Sequence, residues 1–184
     1  MLNQISNIDS ILHFWFNELT PDQYFAVDPS LDNLIRERFT ITHKAASQGE
    51  LYTWRSSVEG RLAEIIVLDQ FSRNIYRGKK EAFASDGIAL VLAQEAIERG
   101  VDKKLTSQQK LFLYLPFMHS ESLLIHKQAM QLFSDPDLKE NFEYEKQHKH
   151  IIEKFGRFPH RNEILGRVST PEEIAFLQLP NSSF

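Results

Sequence analysis

Cysteine is absent from the sequence, and neither sign of charge is in large excess. Without cysteine the chain can form no disulfide, no thiolate metal site and no cysteine nucleophile. The 21 Lys and Arg residues against 25 Asp and Glu residues leave a formal net charge of -4. Such a chain has no overall positive field to attract nucleic acid or anionic lipid, and we expect it to bind no nucleic acid.

Long apolar runs and targeting signals are also missing. No apolar run approaches the roughly 18 residues that a membrane span requires. The N-terminal stretch "MLNQISNIDSILHFWF" contains neither a basic segment nor a small-residue cleavage site. The sequence therefore predicts a cytoplasmic protein with no membrane partner. Hydrophobic residues make up 42% of its 184 residues, which is enough for a sizeable core, and we expect a single domain over residues 1–184.

The common motifs of nucleotide-binding and hydrolytic enzymes are absent as well. The sequence contains no GxxxxGK, GxGxxG, GxSxG or HExxH. His119 and His126 are seven residues apart, which separates them by roughly 10 Å on a helix, too far to share one ion. We therefore expect no metal and no cofactor.

What the sequence does contain is a helical pattern from end to end. Apolar residues recur at intervals of three and four rather than two, and short capping signals separate the segments. The predicted helix starts lie at Asn7, Thr20, Ser30 and Thr170, and the predicted ends lie at Gly49, Gly78, Gly100, Pro116 and Gly156. This pattern predicts an all-α fold of about eight or nine helices.

Two charged residues fall on the apolar stripe of the helix that begins near Val58. Asp69 and Arg73 are four residues apart, the spacing at which a carboxylate and a guanidinium can pair, and Gln70 and Asn74 repeat that spacing beside them. The other sides of this helix are also apolar. We therefore predict that it runs through the middle of the domain and carries these polar groups inward.

Two later helices show the same exception. The helix predicted after Pro116 carries Glu121 and Gln128 within its apolar stripe, which consists of Phe117, Leu124, Ile125 and Leu132. His148 lies at the centre of the next apolar face, with His150 opposite. An unpaired buried charge costs several kcal/mol. We therefore predict that Asp69, Arg73, Glu121 and His148 converge on one partly buried polar cluster.

The stretch "FGRFPHRNEILGR" at 155–167 predicts a corner over that cluster. Gly156 can end the preceding helix in a left-handed conformation, and Pro159 prevents the helix from resuming at once. The groups predicted to close over the cluster are Arg157, His160 and Arg161. Guanidiniums and an imidazole that face one space suit a carboxylate or a phosphate.

Six segments together resemble one bacterial family. They are "HFWF", "GRLAEIIVLDQFSRNIYRG", "AFASD", "FLYLPFMHSES", "FGRFPHRNEILGR" and "STPEEIAFL". They closely resemble domain of unknown function 924 over almost the whole chain. The resemblance implies an all-helical, single-domain fold similar to tetratricopeptide-repeat proteins, and it implies no established activity. The polar positions shared with the family's motifs are Asp69, Arg73, Asn74, His119, Glu121, His148, Arg157, His160, Arg161 and Asn162.

Three functions remain open at this point. The first is a binding module that holds a small anionic ligand or a peptide carboxylate through Arg73, Arg157 and Arg161. The second is a scaffold for protein partners, in which the polar cluster is a structural ion network. The third is a metal-independent hydrolase or transferase with His148 or His160 as general base. A carboxylate beside the imidazole would favour this enzyme.

Overall fold

The computed structural model describes residues 4–180 and 182, and helices are the only regular secondary structure in that part of the chain. The all-α prediction is therefore confirmed. The chain divides into two compact units. The first comprises residues up to 77 together with 81–116, and the second comprises 78–80 together with the residues from 117 onward. The expectation of one domain over residues 1–184 stays a prediction.

The first unit contains the early helices. They are α1 (Ile8–His13), α2 (Pro29–Ser47), α3 (Val58–Ile66), α4 (Ser72–Ile75), α5 (Asp86–Glu98) and α6 (Ser107–Met118), which continues two residues beyond the unit. Two π-helical segments extend them: Phe14–Glu18 follows α1, and Val67–Phe71 joins α3 to α4. Short 3-10 turns lie at Pro21–Gln23, Tyr52–Ser56, Lys80–Phe83 and Asp102–Lys104. Within the described residues, no helix combines the length and apolar character that crossing a membrane requires.

The helix from α3 to α4 runs through the middle of the first unit. Every side chain from Leu62 to Ser72 is buried, which confirms the prediction of a central helix. Aromatic rings surround it: Phe71 lies 4.8 Å from Phe39 and 6.0 Å from Phe14, measured between ring centroids. Burial on all sides explains why no polar face is visible in this part of the sequence.

The second unit contains α7 (Leu123–Leu132), α8 (Lys139–Phe155) and α9 (Pro171–Leu177), with 3-10 turns at Pro136–Leu138 and Pro159–Arg161. Gly156 ends α8 with φ of 70°, as its position in the sequence predicts. Thr170 accepts a hydrogen bond from the N–H of Glu173 and begins α9, also as predicted. Ile151, Ile152 and Phe158 form the apolar core of this unit, with Phe155 and Phe176 packed against it.

The prediction that a helix ends at Pro116 is wrong. Helix α6 continues through this proline to Met118. Proline has no backbone N–H, so the helix loses the hydrogen bond that position 116 would make to the carbonyl of Phe112. The side chains from Phe112 to Met118 are buried, and their packing offsets that loss.

The helix predicted to begin directly after Pro116 is consequently wrong at its start. Helix α7 begins at Leu123, so Glu121 lies in the link between α6 and α7. Leu124 and Gln128 are exposed, although the prediction placed both on the inward face. The predicted helical periodicity was correct, but the apolar face was counted from Phe117, which belongs to α6, and was therefore placed on the wrong side of α7. The inward face consists instead of His126, Ala129 and Phe133.

Candidate functional site

Asp69 and Arg73 form the predicted ion pair inside the first unit. Nη1 of Arg73 lies 3.2 Å from Oδ1 of Asp69 and donates to the Asp69 carbonyl at 2.6 Å. The same guanidinium donates to both oxygens of Asp86, at 3.0 and 3.2 Å. Gln70 donates to Oδ2 of Asp69 at 2.5 Å. Burial alone would lower the pKa of Arg73, but the charges of Asp69 and Asp86 outweigh it and raise that pKa.

Asn74 belongs to a second polar group in the same unit. Its Nδ2 donates to Oδ1 of Asp32 at 2.9 Å, and Arg77 donates to both oxygens of that carboxylate, at 2.5 and 2.8 Å. Burial would raise the pKa of Asp32, but the bonds from Arg77 and Asn74 outweigh it and lower that pKa. Asn74 therefore joins α4 to α2, a role that its spacing from Gln70 does not reveal.

Arg157 fastens the predicted corner of the second unit to α9. Its Nε and Nη2 donate to the two oxygens of Glu173, at 2.7 and 2.8 Å, and Nη2 also donates to the Val168 carbonyl at 2.9 Å. Asn162 donates to Glu173 at 3.2 Å and to Ser169 at 3.0 Å. The bond from Arg157 is the largest cause of a Glu173 pKa of about 2, with the Thr170 N–H and Asn162 contributing in the same direction.

Glu121 fastens the same corner from its other side. Its carboxylate accepts hydrogen bonds from both terminal nitrogens of Arg167, at 2.7 and 2.9 Å, and from the backbone N–H of Phe158 at 2.7 Å. Burial would raise the pKa of Glu121, but these hydrogen bonds, with the charges of Arg167 and Arg161, outweigh it and lower that pKa. The predicted meeting of Glu121 with the corner therefore occurs, but through Arg167 and a backbone N–H.

Four nitrogen-bearing side chains surround the ring of Phe158, and we call the five residues the Phe158 cluster. The guanidinium carbon of Arg161 lies 4.6 Å from the ring centroid, a cation–π distance. The imidazole centroids of His160, His148 and His126 lie 5.6, 5.7 and 6.1 Å away. Phe158 is completely buried, and Arg161 is 7% exposed. A guanidinium and three imidazoles thus share one largely dry environment.

His148 is a neutral imidazole in this cluster. It is buried while His150 is exposed, as the helical spacing predicts. Its Nδ1 lies 2.8 Å from the Tyr144 carbonyl, so Nδ1 carries the proton and Nε2 is the acceptor nitrogen. Burial is the main cause of a His148 pKa of about 3, and the neighbouring imidazoles of His119, His126 and His160 lower it further. Tyr144, whose carbonyl His148 contacts, has an exposed side chain.

A carboxylate–histidine pair in the second unit is formed by Glu145 and His126. Nδ1 of His126 lies 2.7 Å from Oε1 of Glu145, and Nε2 lies 2.8 Å from the Ser120 carbonyl. Both side chains are completely buried. His126 therefore uses both ring nitrogens within the chain.

The remaining predicted site residue, His119, lies in the link between α6 and α7 and is partly buried. Among the described residues, no three or more His, Asp or Glu side chains are placed so that they could hold a metal ion. Asp69 and Arg73 lie in one unit, and Glu121, His148, Arg157, His160 and Arg161 lie in the other. The convergence of these two sets on one cluster stays a prediction.

Known proteins resemble this chain along almost its whole length. Residues 11–181 match the family described as bacterial protein of unknown function (DUF924). The chain belongs to the DUF924 family. A solved structure of the protein of unknown function ATU0120 from Agrobacterium tumefaciens is 39% identical to this DUF924 chain, with a TM-score of 0.89; the match covers 93% of this chain and 96% of the other. No curated protein matches the chain.

The sequence contained signals for two of the site residues that the predictions did not assign. His126 lies on one helical face with Ala129 and Phe133. This face can be recognised only when the helix is taken to begin at Leu123. Arg167 ends the corner segment of this DUF924 protein, but its partner Glu121 is 46 residues away, and nothing local connects them. Glu145 lies three residues before His148 and therefore on the same side of α8, but its charge and its exposed neighbours Tyr144 and Lys146 favour a solvent-facing position.

Proposed function

We propose that this DUF924 protein is a binding module, built as a tetratricopeptide-like helical array, which holds a small anionic ligand or a peptide carboxylate at the corner of residues 155–167. The observation that carries the proposal is the placement of Arg161. Its guanidinium is largely buried and lies over the Phe158 ring, with three imidazoles around the same ring. The recognised group is a carboxylate or phosphate, the anions that a guanidinium fork fits best.

The position of Arg161 over Phe158 supports this role physically. A guanidinium over an aromatic ring is stabilised by the cation–π interaction, and its N–H donors, which lie at its edges, can still bind an anion. Burial lowers the local dielectric and strengthens each such bond. We assign the ligand to Arg161 because its guanidinium is largely buried over the Phe158 ring, with the imidazole of His160 beside the same ring.

Binding is better supported than hydrolysis or group transfer. A general base works best when its pKa is near the working pH, whereas the pKa of His148 is about 3 and its Nδ1 is oriented by a backbone carbonyl rather than a carboxylate. His126, whose Nδ1 contacts the Glu145 carboxyl group, uses its other nitrogen on the Ser120 carbonyl. These two histidines therefore suit packing and orientation more than proton transfer.

A scaffold with a structural ion network is the second candidate, and a specific observation favours it. Two bidentate pairs, Arg157 with Glu173 and Arg167 with Glu121, join the corner to other segments of the second unit. If the charged residues of the corner serve only to form these ion pairs, then substituting them lowers the stability of the protein and no small ligand binds.

The experiment is a thermal-shift and native mass-spectrometry measurement with inorganic phosphate, succinate, glutamate and a dipeptide whose C-terminus is either free or amidated. We expect at least one anion to stabilise the protein, by about 2.7 kcal/mol at a hundred times its Kd. The free dipeptide against its amide separates a peptide carboxylate from a free small anion.

Arg161→Gln should abolish the effect, while Arg38→Gln should retain it. Arg38 is the matched control because its guanidinium also lies 4.6 Å over a phenylalanine ring, that of Phe14, but at the surface. If no anion in the panel binds, or if Arg161→Gln binds as well as the wild type, the binding proposal is wrong.

A further inference from the structure

The His126–Glu145 pair holds a definite number of protons. A backbone carbonyl can only accept a hydrogen bond, so Nε2 of His126 must carry a proton to bond to the Ser120 carbonyl. The contact of 2.7 Å between Nδ1 and Oε1 of Glu145 then requires one further proton. The pair therefore holds one proton more than a neutral imidazole plus a carboxylate, and its net charge is zero.

That proton has two places to reside, and the surroundings favour one of them. Both side chains are completely buried, and separating charge there would require removing two ions from water. Oε2 of Glu145 is buried and has no hydrogen-bond partner among the residues that the structure describes. Leaving a buried oxygen without a hydrogen bond costs more free energy in an ionised carboxylate than in a neutral carboxyl group. Burial also raises the pKa of Glu145, against the lowering effect of His126.

Neighbouring charges do not reverse this preference. Lys149, one turn further along α8, lowers the pKa of Glu145, but its ammonium group is bonded to Glu153. His148, which also belongs to the Phe158 cluster, is neutral because burial lowers its pKa to about 3. The guanidinium of Arg161 in the same cluster is positive and largely buried, and it therefore opposes a positive charge on His126.

The pair is connected to the corner through the link between α6 and α7. His126 holds the carbonyl of Ser120, and the hydroxyl oxygen of Ser120 accepts the N–H of Ser122 at 3.2 Å. Glu121, between these two serines, accepts the backbone N–H of Phe158 at 2.7 Å. The position of the Glu121 carboxylate at the corner therefore depends on a turn that His126 holds.

We propose that Glu145 is a neutral carboxylic acid that donates its proton to Nδ1 of neutral His126, and that the two act as a positioning pair for the turn from Ser120 to Ser122 and hence for Glu121 at the corner. The positioning role rests on the proposed function, because it fixes the carboxylate clamp of the binding corner. The protonation state and its effect on the turn are properties of the ligand-free protein.

The first measurement is side-chain NMR of the ligand-free wild type at pH 7. A neutral imidazole protonated at Nε2 shows two widely separated ring nitrogen shifts, whereas an imidazolium shows two similar shifts. We expect the separated pattern for His126 and the carboxyl carbon shift of an un-ionised acid for Glu145. An imidazolium pattern, or the shift of an ionised Glu145, would overturn the proposal.

The second measurement compares variants by hydrogen exchange at the Phe158 amide. In Glu145→Gln the amide group can still donate to Nδ1, so we expect exchange within about threefold of the wild type. Glu145→Ala removes the donor, and we expect exchange at least about tenfold faster, the effect of one lost buried hydrogen bond. Equal exchange in these two variants would overturn the positioning role.

Glu64→Ala is the control, because Glu64 is also completely buried but lies in the first unit. If Glu64→Ala loses as much unfolding free energy as Glu145→Ala and accelerates exchange at the Phe158 amide equally, the positioning role is also contradicted. If Glu145→Ala does not fold, the NMR shifts and the behaviour of Glu145→Gln still decide the proposal. A wild type that binds no anion would remove the proposed function and leave these ligand-free results to decide the pair.

Discussion

Replacing Arg55 by methionine should destabilise this DUF924 protein far more than its position near the surface suggests. Nε and Nη2 of Arg55 donate to the two oxygens of Glu64, at 2.8 and 2.7 Å. The Arg55 side chain is 31% exposed, whereas Glu64 is not exposed at all. Arg55→Met therefore leaves a buried carboxylate without its cation, and the free energy of unfolding should fall by about 3–5 kcal/mol.

Substituting the other member of the pair, Glu64, should lower the free energy of unfolding by less. In Glu64→Gln the guanidinium of Arg55 can turn toward water, so only the charged hydrogen bonds are lost, at about 1.5–3 kcal/mol. Arg38→Met is the control: Arg38 pairs with Glu18 where both side chains are more than a third exposed, and such a pair contributes at most about 1 kcal/mol.

Urea unfolding at pH 7 measures all three variants, provided that the slope with denaturant is unchanged. The expected order of destabilisation is Arg55→Met, then Glu64→Gln, then Arg38→Met. If Arg55→Met lies within about 1 kcal/mol of the wild type, the buried carboxylates of this chain cannot be interpreted as charges that require a fixed partner.

Three further predictions concern glycine packing and pH. Gly60→Ala should cost about 1–3 kcal/mol in urea unfolding, because a Cβ there would lie 2.0 Å from the Trp54 carbonyl, whereas Gly87→Ala, with open space, should be neutral or stabilising. Because the Glu173 pKa is lowered to about 2, the stability difference between wild type and Glu173→Gln should be full above about pH 4.5 and vanish toward pH 2. Because the His148 pKa is lowered to about 3, wild type should lose stability as pH falls from about 6.5 to 4.5, with a slope up to about 1.4 kcal/mol per pH unit steeper than in His148→Gln. Equal destabilisation by Gly60→Ala and Gly87→Ala would contradict the first expectation. A wild-type stability that changes with pH in parallel with that of Glu173→Gln or His148→Gln would contradict the other two.

Local features of the fold could be predicted because local chemistry decides them. Gly156 must adopt a positive φ to end α8, and the threonine that precedes Pro171 caps α9 with its own hydroxyl group. The inward direction of His148 follows from helical periodicity alone. Pro116 shows the limit of such rules, because packing of the last turn of α6 outweighs the helix-ending tendency of proline.

The partners within the site could not be predicted, because they are set by contacts between distant segments. Asp69 and Arg73 pair at a spacing of four, which is visible in the sequence, but the second carboxylate on Arg73 is Asp86, 13 residues away. Glu121 reaches the corner from the link between α6 and α7, and its partners there depend on tertiary structure. Periodicity can say which side chains point inward, but not which of them meet.

The most direct test of the central claim is a titration of the protein with the best-binding anion of the panel, followed by NMR of the arginine Nε–H groups. Anion binding at the corner predicts a saturable shift of the Arg161 resonance at the concentration that raises the melting temperature, with the Arg38 resonance unchanged. Shifts that increase without saturation at all arginines, or a saturable shift that leaves Arg161 unaffected, would contradict it.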